Sequence, residues 1–164
     1  MELRSAPLAE SYLTAERLRD HPRAGAAATG ASRQAVEVQR WQPADLWGHR
    51  ALWHFEQAGM WLQATRSARR IGDIRVAAGD WNGARRYYAE AISEARDLGA
   101  EREQGLAALG LGRAELQLGN VTQARRLAQI AIDLLERCDA PAAEVAAARE
   151  LRGEERAVGE RAAS

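Results

Sequence analysis

Three histidines, one cysteine and scattered carboxylates are the residues of this chain that could bind a metal or move a proton, and their spacing supports neither role. His49 and His54 stand five apart, not the four that would stack them on one helix face, and His21 is remote in sequence. No His-Glu-x-x-His segment is present, so His54 reads as an ordinary helix residue. Cys138 falls near a helix C-terminus, where no positive helix end lowers its pKa, so a reactive thiol is not expected. Asp80 and Asp139 read as helix caps rather than acids, and Glu154-Glu155 as a surface pair. Gly105, Gly110 and Gly112 lie inside a helical pattern, not in a phosphate-binding loop. Catalysis needs polar groups converging in a pocket, and no such set emerges. The expectation is a non-catalytic chain without catalytic residues, cofactor or metal.

The elements that position these residues follow from a repeat. Trp41…Ala44…Ala51-Leu52, Trp81…Ala84…Ala91-Ile92 and Val121…Ala124…Ala131-Ile132 recur at one fixed spacing. Ala68…Ile71-Gly72, Ala108…Leu111-Gly112 and Ala148…Leu151-Arg152 run in step. A period of about 40 residues means stacked repeats. Good helix formers dominate and no stretch alternates with period two, so the chain reads as all-α. Gly79-Asp80 and Gly119-Asn120 end one helix and cap the next, and Gly59 and Gly99 punctuate the other turns. Helices are predicted near 43–58, 60–77, 81–97, 102–118, 121–138 and 141–160. Short turns make them antiparallel pairs. Before them, Pro7 to Arg19 suits a helix, while His21 through Gly30 reads as a linker because of Pro22, Gly25 and Gly30. A short helix near 31–40 follows. The expected division is an irregular N-terminal segment, 1–38, and a helical-repeat domain, 39–162.

Trp41, Trp47 and Trp53 share one predicted helix at spacings of six, so they point in three directions. Trp41 aligns with Trp81 and Val121, and Trp47 with Tyr87 and Leu127, which are plausible core positions. Trp53 aligns with Ser93 and Asp133. It is therefore expected to pack on the N-terminal helix or to form part of a partner or self-association surface.

These residues resemble the tetratricopeptide repeat (TPR) family. One unit supplies Ile71-Gly72, Gly79, Trp81, Ala84, Tyr88 and Ala91; the next supplies Leu111-Gly112, Gly119, Val121, Ala124, Ala128 and Ala131. An earlier unit matches only through Trp41, Ala44 and Ala51, with Gln39 where the family has Gly. The match spans about 39–160, and its spacing, wider than the usual one of the family, is similar to a longer-helix variant found in bacterial signal-transduction ATPases and transcription activators. The resemblance implies a right-handed α-solenoid of about three helical hairpins plus a C-terminal capping helix. It also implies a groove lined by the first helix of each pair, with Arg66, Arg69, Arg70, Asp73, Arg113, Gln117 and Arg149 facing it. Some family members hold a peptide carboxylate with Lys and Asn there; this chain has neither at those positions, but Arg can make the same paired hydrogen bonds. The competing reading is a solvated, salt-bridged helix face.

Charge and cysteine content bound the rest. The 23 basic residues, all Arg, balance 23 acidic ones, which argues against a dedicated nucleic-acid binder. A single cysteine excludes an intrachain disulfide and suits a reducing, cytoplasmic setting. The stretch from Met1 to Asp20 lacks the apolar core of a signal peptide. No apolar run approaches the length of a membrane span. The expected role is a scaffold or adaptor for a protein or peptide partner. The alternatives are a ligand- or peptide-sensing regulatory domain of a bacterial transcription or signalling system, and a self-assembling homo-oligomer module.

Overall fold

The computed structural model describes residues 6–162, and every regular element among them is an α-helix. These are α1 (Ala6–Arg17), α2 (His21–Glu37), α3 (Trp41–Gln57), α4 (Trp61–Ala77), α5 (Trp81–Asp97), α6 (Glu101–Gln117), α7 (Val121–Arg137) and α8 (Ala142–Ala162). From α2 to α7 the starts are evenly spaced and each helix is 17 residues long. The period of the sequence is thus two helical half-periods.

One turn is used throughout. Its second residue has positive φ: Arg19, Gln39, Gly59, Gly79, Gly99, Gly119 and Asp139. The following amide donates to a carbonyl five residues back, as Asp80 does to Arg75 at 2.8 Å and Ala100 to Ala95 at 2.8 Å. This is a Schellman closure, which satisfies carbonyls that the helix end would leave bare. Asp20 and Asp80 then cap the next helices by accepting from the Arg23 and Gly83 amides. Asn120 sits at the equivalent place but donates to Glu115 instead, so it caps nothing. Asp139 is not a cap either. It occupies the left-handed position that glycine fills elsewhere.

Small residues in register let the helices approach. Ala24, Ala44, Ala64, Ala84 and Ala124, each three positions after its helix start, are essentially inaccessible. So are Ala28, Ala68, Ala108, Ala128 and Ala148, at a second register position four further on. Larger apolar groups such as Ile71, Leu135 and Leu151 fill the space between. Consecutive helices pack side by side. In addition α4 touches α6 and α6 touches α8, whereas α3, α5 and α7 have no comparable mutual contacts among the described residues. The helices α4, α6 and α8 therefore form the inner, closer layer of a solenoid, which α2 continues in register across a recess, and the odd-numbered helices form the outer layer.

Two ion pairs span successive outer-to-inner steps at equivalent positions with opposite polarity. Arg75 of α4 reaches Asp45 of α3 at 3.1 Å, and Arg85 of α5 reaches Glu115 of α6 at 2.7 Å.

The expected linker over 21–30 is instead the first half of α2, a full-length helix packed along α3. Pro22 sits in the first turn, where its missing N–H costs nothing. Gly25 and Gly30 lie where a Cβ would meet the Phe55 ring at 2.8 Å and the Leu8 side chain at 3.1 Å. They permit close packing rather than break the helix. Trp47 packs against the core and is half-buried, as is Trp41 at the start of α3; neither reaches the full burial of the alanines.

A non-glycine residue in the left-handed region costs about 1 kcal/mol. Gln39→Gly should therefore raise unfolding stability by up to about 1 kcal/mol in a urea titration. A loss of stability would show that the Gln39 side chain contributes more than its backbone strain costs.

Candidate functional site

The inner layer is organised around Tyr88. At the second small-residue register position α2 to α8 carry Ala28, Gly48, Ala68, Tyr88, Ala108, Ala128 and Ala148, so α5 alone has a large side chain there. The Tyr88 ring is 2 % exposed and lies against the backbone of Gly72 in α4 and Gly110 in α6. A Cβ at Gly72 would come within 2.8 Å of the ring. The side chain thus passes from the outer layer between two inner helices, and its hydroxyl donates to Asp73 Oδ1 at 2.7 Å. Burial, and then the Asp73 carboxylate, push the phenol far above its usual range, so it stays a donor. Enclosure raises the Asp73 carboxyl above the ordinary carboxylate value, against the pull of Arg69, the Tyr88 hydroxyl, Arg70 and Arg113.

Around this pair the arginines divide. Glu103 of α6 is almost buried and takes Arg66 at 2.7 Å and Arg69 at 3.4 Å; Arg69 also reaches Asp73 at 3.0 Å. These two expected groove residues already have partners, which join α4 to α6. Arg149 of α8 pairs with Glu136 of α7 at 2.6 Å, so it turns toward the outer layer. Gln117 is exposed at the end of α6. By contrast, Arg33, Arg70 and Arg113 have no ion-pair or hydrogen-bond partner among the described residues.

Arg33, Asp73 and Arg113 are one full repeat apart and so occupy one register position on α2, α4 and α6. Arg33 escapes sequence reasoning because its helix is obscured by Pro22, Gly25 and Gly30; its spacing from Arg113 is the signal that finds it. Between α2 and α4 opens a cavity of about 330 Å³, with polar groups Ser32, Arg33, Glu37, Arg70 and Asp73 and an apolar wall of Val36, Ile74 and Ala77. Loss of hydration, then Arg69 and Arg33, hold the Arg70 guanidinium below its ordinary value. It remains charged at any accessible pH. The arrangement is a half-apolar recess in which two arginines stand beside two carboxylates, and the guanidiniums of Arg33 and Arg70 are able to take an anionic group through paired hydrogen bonds.

Trp53 lies apart from this recess, on α3. It is 49 % exposed and stands edge-on to His21 at 5.5 Å and His54 at 4.7 Å between ring centres. Among the described residues no group of three or more His, Cys, Asp or Glu could hold a metal. No described helix is long and apolar enough to cross a membrane.

No protein-family model matches the chain, and no curated protein matches it in sequence. Among solved structures, the fold is similar to the apo form of RapI, with a TM-score of 0.78 and 10 % sequence identity over 97 % of this chain. The chain spans 65 % of the length of that structure. At this identity the likeness establishes a shared helical-repeat architecture.

Removing the Tyr88 hydroxyl while keeping its ring isolates the bond to Asp73. Tyr88→Phe should cost about 1 kcal/mol in chemical unfolding, and Tyr88→Ala about 3–5 kcal/mol through the cavity left between α4 and α6. Equal losses in the two variants would remove ring packing from this account.

Proposed function

We propose that the chain is a non-catalytic interaction module whose inner groove takes a protein or peptide partner carrying a carboxylate. The observation that carries this reading is the set of unpartnered arginines, Arg33, Arg70 and Arg113, on the inner helices, where Arg66 and Arg69 are ion-paired. Glu37 and Asp73 line the same recess, but no hydrogen bond or ion pair among the described residues ties them to Arg33 or Arg70, so both guanidiniums keep their donors for a ligand. Arg33 and Arg70 supply planar donors, and Val36 and Ile74 supply an apolar wall beside them. An acidic segment, or a chain end with an apolar last residue, meets both requirements. Trp53 is too remote from the recess to take part and serves at most a separate surface.

A second reading is a sensing domain for a small anionic ligand. The cavity between α2 and α4 favours it, since about 330 Å³ lies at the lower end of small-molecule sites.

Fluorescence anisotropy with acidic peptides, as free acids and as C-terminal amides, tests the first reading. Arg33→Ala and Arg70→Ala should each weaken binding about ten-fold, roughly 1.4 kcal/mol, while Trp53→Ser leaves it unchanged. Added salt should weaken it further. Undiminished binding by the Arg33/Arg70/Arg113→Ala triple variant would rule out the groove. A thermal shift with small carboxylates and none with peptides would favour the sensing domain.

A further inference from the structure

The histidines, unconnected in the sequence, are joined in three dimensions. His54 of α3 is 2 % exposed, yet its ring is bonded at both nitrogens. Its Nδ1 faces Nδ1 of His21, at the start of α2, at 3.0 Å. Its Nε2 faces the Tyr12 hydroxyl of α1 at 3.1 Å. That hydroxyl donates to Glu16 Oε1 at 3.0 Å, so its oxygen is the acceptor for His54. The proton order is then fixed: His54 Nε2–H donates to Tyr12, and His21 Nδ1–H donates to the bare His54 Nδ1. The chain of bonds from α2 through α3 to α1 works with His54 neutral. It still works with one added proton on His21, whose Nδ1 remains a donor. With a proton on each ring, two N–H groups point at each other across 3.0 Å.

The other side of the His54 ring holds α1 in place, through Tyr12. Tyr12, 5 % exposed, stands edge-on to Trp47 at 5.0 Å and to His54 at 5.5 Å, with the Arg50 guanidinium over its ring at 5.4 Å. We propose that the His21–His54 pair is a proton-operated latch that secures α1 while the buried His54 ring is neutral and releases it when that ring is charged. The groups acting on His54 are His21 of α2, Glu16 of α1 and Arg50 of its own helix.

The pH window follows from the sign of each shift. Burial, then His21, lowers the His54 pKa below its ordinary 6.5. The unfolded chain therefore binds this proton first. The contribution of neutral His54 is complete above 6.5 and is lost as the pH falls below it. The raised carboxyls of Glu56, Asp73 and Glu94 act oppositely, favouring the folded chain as pH falls toward their range. Glu144, lowered by Arg102, matters only below 4.5. Of these shifted groups, His54 is the one that weakens the fold as the pH falls below 6.5 and before it reaches 4.5.

Amide hydrogen exchange on the intact chain, corrected for the intrinsic effect of pH, tests the latch. Protection across α1 should fall about ten-fold between about pH 7.5 and 5, with α6 and α7 unchanged. His54→Gln keeps an acceptor for His21 and a donor for Tyr12 but cannot titrate, so its α1 protection should not change with pH. The idea is overturned by constant α1 protection in the parent chain or by an equal fall in the His54→Gln variant. If that variant does not fold, the His54 ring proton shifts of the parent chain decide: a titration midpoint below 6.5 supports the latch and one above it overturns it.

Discussion

Close approach between helices at fixed, repeated points is the constraint on which this molecule rests. Small residues, mostly alanines, at two recurring register positions bring neighbours together without a bulky core, and a left-handed turn residue resets the chain between successive helices. Because both devices recur in step, each helix meets its neighbours at the same height. Side chains one or two repeats apart consequently fall into rows, and the groove is built on such rows.

Tyr88 shows how the rule can be broken without losing the packing. A large ring at a small-residue position would push two inner helices apart, but glycine on each side restores the distance. The hydroxyl is thereby carried from the outer layer to the groove, where it fixes Asp73. Asp73 and Glu103 together occupy Arg66 and Arg69. That leaves Arg70, with Arg33 and Arg113, as the cations with capacity to spare. Packing in the core thus decides which surface charges can act.

The sequence reveals much of this scaffold, because alanine and glycine spacing is the physical cause of the packing. The half-period is harder to see: inner and outer helices share only their small contact residues and the turn. Residues 21–30 mislead for a related reason, since Pro22, Gly25 and Gly30 are breakers by composition but serve a helix start and two close contacts. The fates of Arg66, Arg69 and Arg149 depend on Glu103 and Glu136, acceptors on other helices that spacing along one helix does not reveal. The bond between Tyr12 and His54 joins side chains far apart in the chain that share no motif.

The reversed polarity of the Asp45–Arg75 and Arg85–Glu115 pairs gives the stack an address. Near-identical units could slide by one repeat with little change in apolar contact. A slip here would set Asp45 against Glu115 and Arg85 against Arg75, with Glu115 nearly buried. Like charges in such a place cost more than the slip could recover. The repeats are thus interchangeable in shape but not in order, which gives the array one permitted arrangement of its parts.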